Sequence, residues 1–286
     1  DVYKRQAYER ILDRLDLDFV KATASVGAMG GKRSDEYHIV SSVGEDKVYT
    51  CGSCRKSISA DLVAGAAQES QVSQEMVCAA VKCAQKLANG AKLEPKRCIE
   101  VGHAFILGDR YTKHFPVETN LKSNGIIMAC FGIGVSRLLQ ACVEQHQLEN
   151  RFPNWPLEIA PFRIGIVPAK EGSKEEEKSK NLVKYFSEML DPHYTDDIVV
   201  DDRTKLSIGS RLIDMKLLGV PYVITLGKHI HDEQAEIVIN STKIKEAIKK
   251  DVVHCHTREV AVILKQISND YFYIKKQKKV FNYFEN

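Results

Sequence analysis

Apolar positions recur at helical spacing in residues 7–15 (AYERILDRL), where Tyr8, Ile11, Leu12 and Leu15 share one stripe, the pattern of an amphipathic helix. Phe19 to Ala24 is a short, strand-like run, and the Gly-rich SVGAMGGKRSDEY after it reads as a flexible stretch. YHIVSS at 37–42 and KVYT at 47–50 predict two strands joined by a Gly-Glu-Asp turn. Residues 60–90 are Ala- and Gln-rich with helical character, broken from Gly90 through Pro95. Strand patterns follow in CIEVGHAFILG from 98 and in GIIMACFGIG at 125–134. A helix is expected from about Val135 to His146, with Val135, Leu138, Leu139, Cys142 and Val143 on one face.

The proline-punctuated RFPNWPLEIAPF reads as a linker, set at 151–157. Beyond it strands and helices alternate. FRIGIVP, DIVVDD and PYVITLG predict strands, separated by helices at Lys174–Leu190 and GSRLIDMKLLG. This order argues for a small sheet with a parallel portion and crossover helices. QAEIVIN adds a strand, and Thr257 to Ile267 a closing helix. Residues 1–150 are therefore expected to form a mainly antiparallel α+β domain, and 158–286 a compact α/β domain with a mixed sheet.

Length and charge narrow the partners. The 286 residues, 44% of them hydrophobic, suffice for two ordinary cores. A net charge of +3 leaves no basic arm, so contact with nucleic acid rests on local patches. The exception, Lys275-Lys276-Gln277-Lys278-Lys279, reads as a solvated terminal stretch. No stretch approaches the roughly twenty apolar residues of a membrane span, and the abrupt opening Asp1-Val2-Tyr3 suggests an internal fragment. Eight cysteines without a disulfide spacing suit a reducing compartment. Cys51 and Cys54 form the one CxxC; a zinc site recruiting Cys78 and Cys83 is disfavoured, because that second pair is CxxxxC with no histidine near it.

The joint ACFGIGVSR at 129–137 carries the first candidate chemistry. A strand delivers Gly132 and Gly134 to a point where a Cβ would obstruct a ligand or a tight turn. Arg137 then falls on the first helical turn, where unpaired backbone N–H groups and the helix dipole favour anions. A guanidinium there suits a polyphosphate. The same joint also reads as a corner with a surface arginine.

EVGHAFILGDRYT, this joint, NWPLEIAPF, VVDDR and LGVPYVITLG follow one another in an order that closely resembles the C-terminal half of prolyl-tRNA synthetases. These are class II aminoacyl-tRNA synthetases, and the likeness is to the bacterial and mitochondrial type. Residues 125–141 resemble motif 3 of the family and 158–286 its anticodon-binding domain. The resemblance implies an antiparallel catalytic sheet binding ATP, proline and the tRNA acceptor end. It places Arg137 on the outer phosphates of ATP, with Gly132 and Gly134 letting the nucleotide lie against the strand. His103 and Gly102 then line the pocket for proline or ATP, and Glu100 supports a metal ion or substrate, or is a structural carboxylate. VGAMGGKRSDEYHI resembles a glycine-rich segment beside the amino-acid pocket. There Glu36 would pair with the proline ammonium, while Asp35 stands where the family has His. In the second domain Asp202, Arg203 and Lys228 become anticodon contacts.

The resemblance further implies Mg2+ alongside ATP, tRNA(Pro) as partner, a homodimeric parent, no membrane association, and a mitochondrial matrix location, or the cytoplasm if the source is bacterial. The stretch between 60 and 97 is too short for the editing domain many bacterial relatives carry. Motifs 1 and 2, which would lie upstream, are not in the sequence, so this chain alone is expected to be inactive in aminoacylation. Two other readings are a non-catalytic synthetase-like accessory module and a related synthetase for threonine, glycine or histidine. Retained Arg137, Gly132, Gly134 and His103 speak against the first, and the EVGHAFILG and LGVPYVI stretches against the second.

Overall fold

The computed structural model describes residues 2–52, 55–64, 93–114, 126–147 and 152–269. Two compact units divide the chain, Asp1–Gln145 and His146–Asn286. Among the described residues no helix is long and apolar enough to cross a membrane. The readings on Cys54, Cys78, Cys83, 65–92 and Lys275–Lys279 lie outside the described residues.

In the first unit helix α1 (Val2–Arg14) leads into strands β1 (Phe19–Ala24), β2 (Arg33–Val40), β3 (Asp46–Cys51) and β4 (Ser57–Ser59), then the short helix α2 (Ala60–Ala64). The long strand β5 (Leu93–Gly108), β6 (Met128–Ile133) and helix α3 (Val135–His146) complete it. The pairings β1–β2, β2–β5, β5–β3 and β3–β4 are antiparallel, β4–β1 is parallel, and together they close a ring to which β6 adds along β5. Two glycines are demanded by this path. Gly31 has φ 108 and lies where a Cβ would come within 2.4 Å of the Ile106 carbonyl oxygen, and a Cβ at Gly44 would lie 2.1 Å from that of Cys98.

Strand β2 begins four residues before the expected YHIVSS and absorbs Ser34, Asp35 and Glu36 from the stretch read as flexible. All three are buried, which polar groups tolerate only with partners. Asp35 finds Arg5 of α1, itself 6% exposed, and Arg33 at 3.1 Å. This ion pair and the Tyr8 ring, edge-on to Tyr37 at 5.1 Å, fasten α1 to the sheet. The expected helix 135–146 forms, but its buried face is Leu138, Ala141 and Cys142, whereas Val135 is 76% and Leu139 49% exposed.

The second unit holds β7 (Ile164–Val167), α4 (Glu176–Leu190), β8 (Ile198–Val200), α5 (Ile208–Leu217), β9 (Tyr222–Thr225), β10 (Gln234–Ile239), α6 (Thr242–Ile248), β11 (Val252–His256) and a closing helix α7 over 260–269. Sheet order is β11-β10-β9-β7-β8, parallel on either side of β7 and antiparallel from β9 to β11. Ile164, Ile166 and Ile224 pack on Phe186, Leu190 and Leu264 on one face, and Val167 and Val223 on Met215 on the other. Covered on both faces, β7 is buried at every position. Helix α6 and β11 had no counterpart among the expected elements. Residues of the expected linker make side-chain contacts of their own. Asn154 Nδ2 donates to Thr242 Oγ1 at 2.9 Å and Trp155 Nε1 to the Leu218 carbonyl at 3.1 Å, so these residues are packed into the second unit.

Replacing Asp35 by Ala leaves the Arg5 guanidinium buried without its carboxylate. Urea unfolding should register a loss of about 3–5 kcal/mol, and a loss below about 1 kcal/mol would remove this pair as the clasp on α1.

Candidate functional site

The site is built where β5 crosses between β2 and β6. Strict alternation along β5 sends Glu100 to the face of Gly102 and away from His103. The observed register departs from that: Glu36 pairs with His103, Tyr37 with Gly102, and His38 with Glu100. Val101 is the extra residue of a β-bulge, which resets the alternation. Glu100 therefore joins His103 on the face of Glu36 and His38.

A continuous line of polar contacts results. Arg137 Nη1 donates to the Glu100 backbone carbonyl at 2.9 Å and lies 3.7 Å from Glu100 Oε2. Glu100 Oε1 is 3.1 Å from His103 Nδ1, and Ser34 Oγ is 2.6 Å from His103 Nε2. Glu36 Oε1 is 3.9 Å from that same Nε2, and Glu36 Oε2 is 2.9 Å from His38 Nε2. His38 Nδ1 in turn meets Cys98 Sγ at 3.3 Å. With Nδ1–H given to Glu100, His103 Nε2 accepts a hydrogen bond from the Ser34 hydroxyl when the ring is neutral and donates one to Ser34 Oγ when it is protonated.

The electrostatics follow from these partners. The hydrogen bond from His103 holds the Glu100 carboxyl below its ordinary value; burial opposes this, and the charges of His103, His38 and Arg137 add to it. Burial pushes the Cys98 thiol up to about 12, and Asp46, Glu36 and Glu100 add to the shift, so it is a neutral S–H at physiological pH. Glu36, Glu100 and His103 can each place one ligand atom within 4.8 Å of the others. The carboxylates, however, address opposite nitrogens of the imidazole, so the ring sits between them.

Gly132 lies opposite His103 in the β5–β6 ladder, and a Cβ there would meet nothing within 4 Å. Neither Gly132 nor Gly134 has a positive φ, so no tight turn demands glycine at either position. Helix α3 starts at once, with Leu138 N–H bonding the Gly134 carbonyl at 2.8 Å. Arg137 projects from its first turn, 55% exposed. Gly102 does not join this face. A Cβ on it would point at the Tyr8 ring, 3.5 Å away, and the Gly132 carbonyl, 3.4 Å away, both ordinary van der Waals contacts.

In the second unit the loops after β8 and β9 leave the same, carboxyl end of the parallel strands flanking β7. Asp202 and Lys228 are exposed there. Arg203 is engaged by Asp201 through Nε at 3.0 Å and Nη2 at 2.6 Å, and by Asp214 at 2.9 Å. The hydrogen bonds to Asp201 and then Asp214 raise its pKa above the ordinary guanidinium value. Beneath them the buried Arg211 donates to the Asp201 and Pro168 carbonyls at 3.1 and 2.6 Å.

Ser34 and His38 fell within the segment likened to one beside the amino-acid pocket but were not singled out as site residues, and Cys98 was not expected there. The spacing Ser34-x-Glu36-x-His38 carried the signal, a period of two that puts all three on one face once β2 is recognised as a strand.

No family model matches the chain. Among curated proteins it is 33% identical over 247 residues to the probable mitochondrial proline–tRNA ligase of Mus musculus, covering 85% of this chain and 48% of that protein. The human protein of the same name is 33% identical over 238 residues, covering 82% and 46%. Proline–tRNA ligase of Sulfurimonas denitrificans is 32% identical over 244 residues, covering 83% and 55%. In fold the chain resembles prolyl-tRNA synthetase of Cryptosporidium parvum, solved with L-proline and AMP, at a TM-score of 0.55 and 15% identity over 93% of this chain and 46% of that one. The chain spans about half the length of the curated relatives it matches. It is a homologue of the mitochondrial and bacterial proline–tRNA ligases.

Proposed function

We propose that this chain contributes part of the amino-acid and ATP site, and the anticodon-reading unit, of a proline–tRNA ligase. The observation that carries the reading is the meeting of Glu36, His103, Glu100 and Arg137 on one face of a sheet, in a homologue of enzymes of that name. Proline brings a carboxylate nucleophile and a secondary ammonium. Glu36, with Oε1 turned toward the site, suits the ammonium, and His103 bounds the same pocket. ATP would lie along β6, where Gly132 leaves space, with its outer phosphates toward Arg137.

The reaction needs positioning more than proton removal. A proline carboxylate oxygen bonds the α-phosphorus while the bond to the bridging oxygen breaks, and pyrophosphate leaves. Arg137 stabilises the charge growing on that leaving group. A terminal ribose hydroxyl of tRNA(Pro) then attacks the acyl carbon, the bond from that carbon to the phosphate oxygen breaks, and AMP leaves while the hydroxyl proton passes to the departing phosphate or to water. Glu100 is a hard oxygen donor that would hold Mg2+, which would neutralise phosphate charge during activation. While Arg137 rests on the Glu100 carbonyl, phosphate must compete for it, which favours engagement only when ATP is present. The same reading extends to a homodimeric parent, with the mitochondrial matrix suggested by the mitochondrial homologues and the cytoplasm by the bacterial ones.

At the carboxyl end of the second sheet, exposed Asp202 and Lys228 suit contacts with unpaired anticodon bases and backbone. Arg203, held by two carboxylates, suits a role in shaping that loop and in reaching a phosphate.

The full-length parent protein should catalyse ATP–pyrophosphate exchange with proline; exchange with another amino acid, or none, overturns the reading. Arg137→Ala in that protein should lower exchange by about 100-fold or more. A second test separates the units. Lys228→Ala should weaken binding of tRNA(Pro) and reduce the salt slope by about one, and Asp202→Ala should weaken it too, while both leave proline-dependent exchange intact. Unchanged tRNA binding in both would remove this loop end from the anticodon.

A further inference from the structure

We propose that His38 is a positioning residue for amino-acid recognition: it holds the Glu36 carboxylate so that one oxygen stays presented to the ammonium group of the substrate. The inference rests on the reading of Glu36 given above and goes beyond it by naming what sets that carboxylate's orientation.

His38 is 2% exposed and has a partner at each ring nitrogen, Glu36 Oε2 at 2.9 Å and Cys98 Sγ at 3.3 Å. A carboxylate oxygen can only accept, so the 2.9 Å contact with Glu36 Oε2 puts a proton on Nε2, while Nδ1 meets Cys98 Sγ. A glutamate side chain has three rotatable bonds, and a buried donor on one oxygen removes most of that freedom. Once Oε2 is held, Oε1 lies 3.9 Å from His103 Nε2, beyond hydrogen-bond distance, and is the oxygen left for an incoming N–H. Cys98 is itself placed by the bulge at Val101, since its partner in β2 is Val40, two residues beyond His38 on the same face. The support behind Glu36 therefore comes from both strands. A cyclic secondary ammonium carries two N–H bonds and little freedom to adapt, so a carboxylate that wanders would bind it poorly.

A buried histidine that merely fills space would tolerate any residue of its volume. Two replacements separate the roles in the full-length parent protein. His38→Met keeps the bulk and loses the donor. His38→Gln keeps an N–H donor at comparable reach. In proline-dependent ATP–pyrophosphate exchange, His38→Met should raise the KM for proline about tenfold, with the KM for ATP and kcat within about threefold. His38→Gln should recover the proline KM to within about twofold of the parent. His38→Asn, whose amide falls one methylene short of Glu36, should behave like His38→Met and stands in for it if the methionine variant does not fold. An unchanged proline KM in the donor-less variants overturns the proposal, as does equal impairment of the glutamine and donor-less variants. Glu36→Gln in the same assay tells the two readings apart. No change in proline KM for Glu36→Gln refutes the role of Glu36 itself. A rise there, with no rise in the donor-less His38 variants, refutes only the role of His38.

Discussion

The bulge at Val101 is the constraint on which the first unit depends. One unpaired residue in β5 turns Glu100 onto the face of His103 and brings Cys98 beneath His38. Buried at 2% exposure, Val101 uses its carbonyl to accept the Gly134 N–H at 3.0 Å, which also ties β5 to the start of α3. The irregularity that gathers the carboxylates thus also sets where Arg137 emerges. A regular ladder would have split Glu100 and His103 between opposite faces.

Gathering acids in a half-buried place is costly unless each has a donor. Here each does: Glu100 has His103 and Arg137, Glu36 has His38, and Asp35 on the opposite face has Arg5 and Arg33. The two faces of β2 divide the work. Asp35 and Tyr37 hold α1, and Ser34, Glu36 and His38 line the site. Charges committed to each other in this way are preorganised; under the proposed function a ligand would enter by exchanging partners, as Arg137 would between Glu100 and a phosphate. The second unit applies the same logic at the carboxyl ends of β7, β8 and β9. Arg211 binds two loop carbonyls from below and Arg203 is chelated from above, which leaves Asp202 and Lys228 outward.

Much of the architecture was legible from apolar periodicity. The strand at Phe19–Ala24 and the helix at Val135–His146 stand where their patterns put them, and the strand–helix alternation after 162 foretold a sheet with a parallel portion. Legibility failed where polarity and exposure part company. Ser34-Asp35-Glu36 looked like loop because each residue is polar, yet each is buried by a partner far away in sequence. Val135 and Leu139 looked like core because they are apolar, yet they stand in solvent among the described residues. The prolines of 151–157 suggested a linker, and nothing local told that Asn154 and Trp155 would find partners at Thr242 and Leu218, whose positions follow from the folding of α5 and α6.

Residue types and their order were enough to name Arg137, His103, Glu100, Glu36, Gly132 and Gly134 as candidates, and to place all but Glu36 on a strand or at a helix start. Which of them meet was a matter for the folded chain. A bulge adds a single residue to one strand, has no signature in local apolar periodicity, and exchanges the faces of everything beyond it. The partnership of Glu100 with His103, the turning of Gly102 toward Tyr8 and the line from Cys98 to Arg137 all arise from register between strands distant in sequence. Local pattern carries no record of that register.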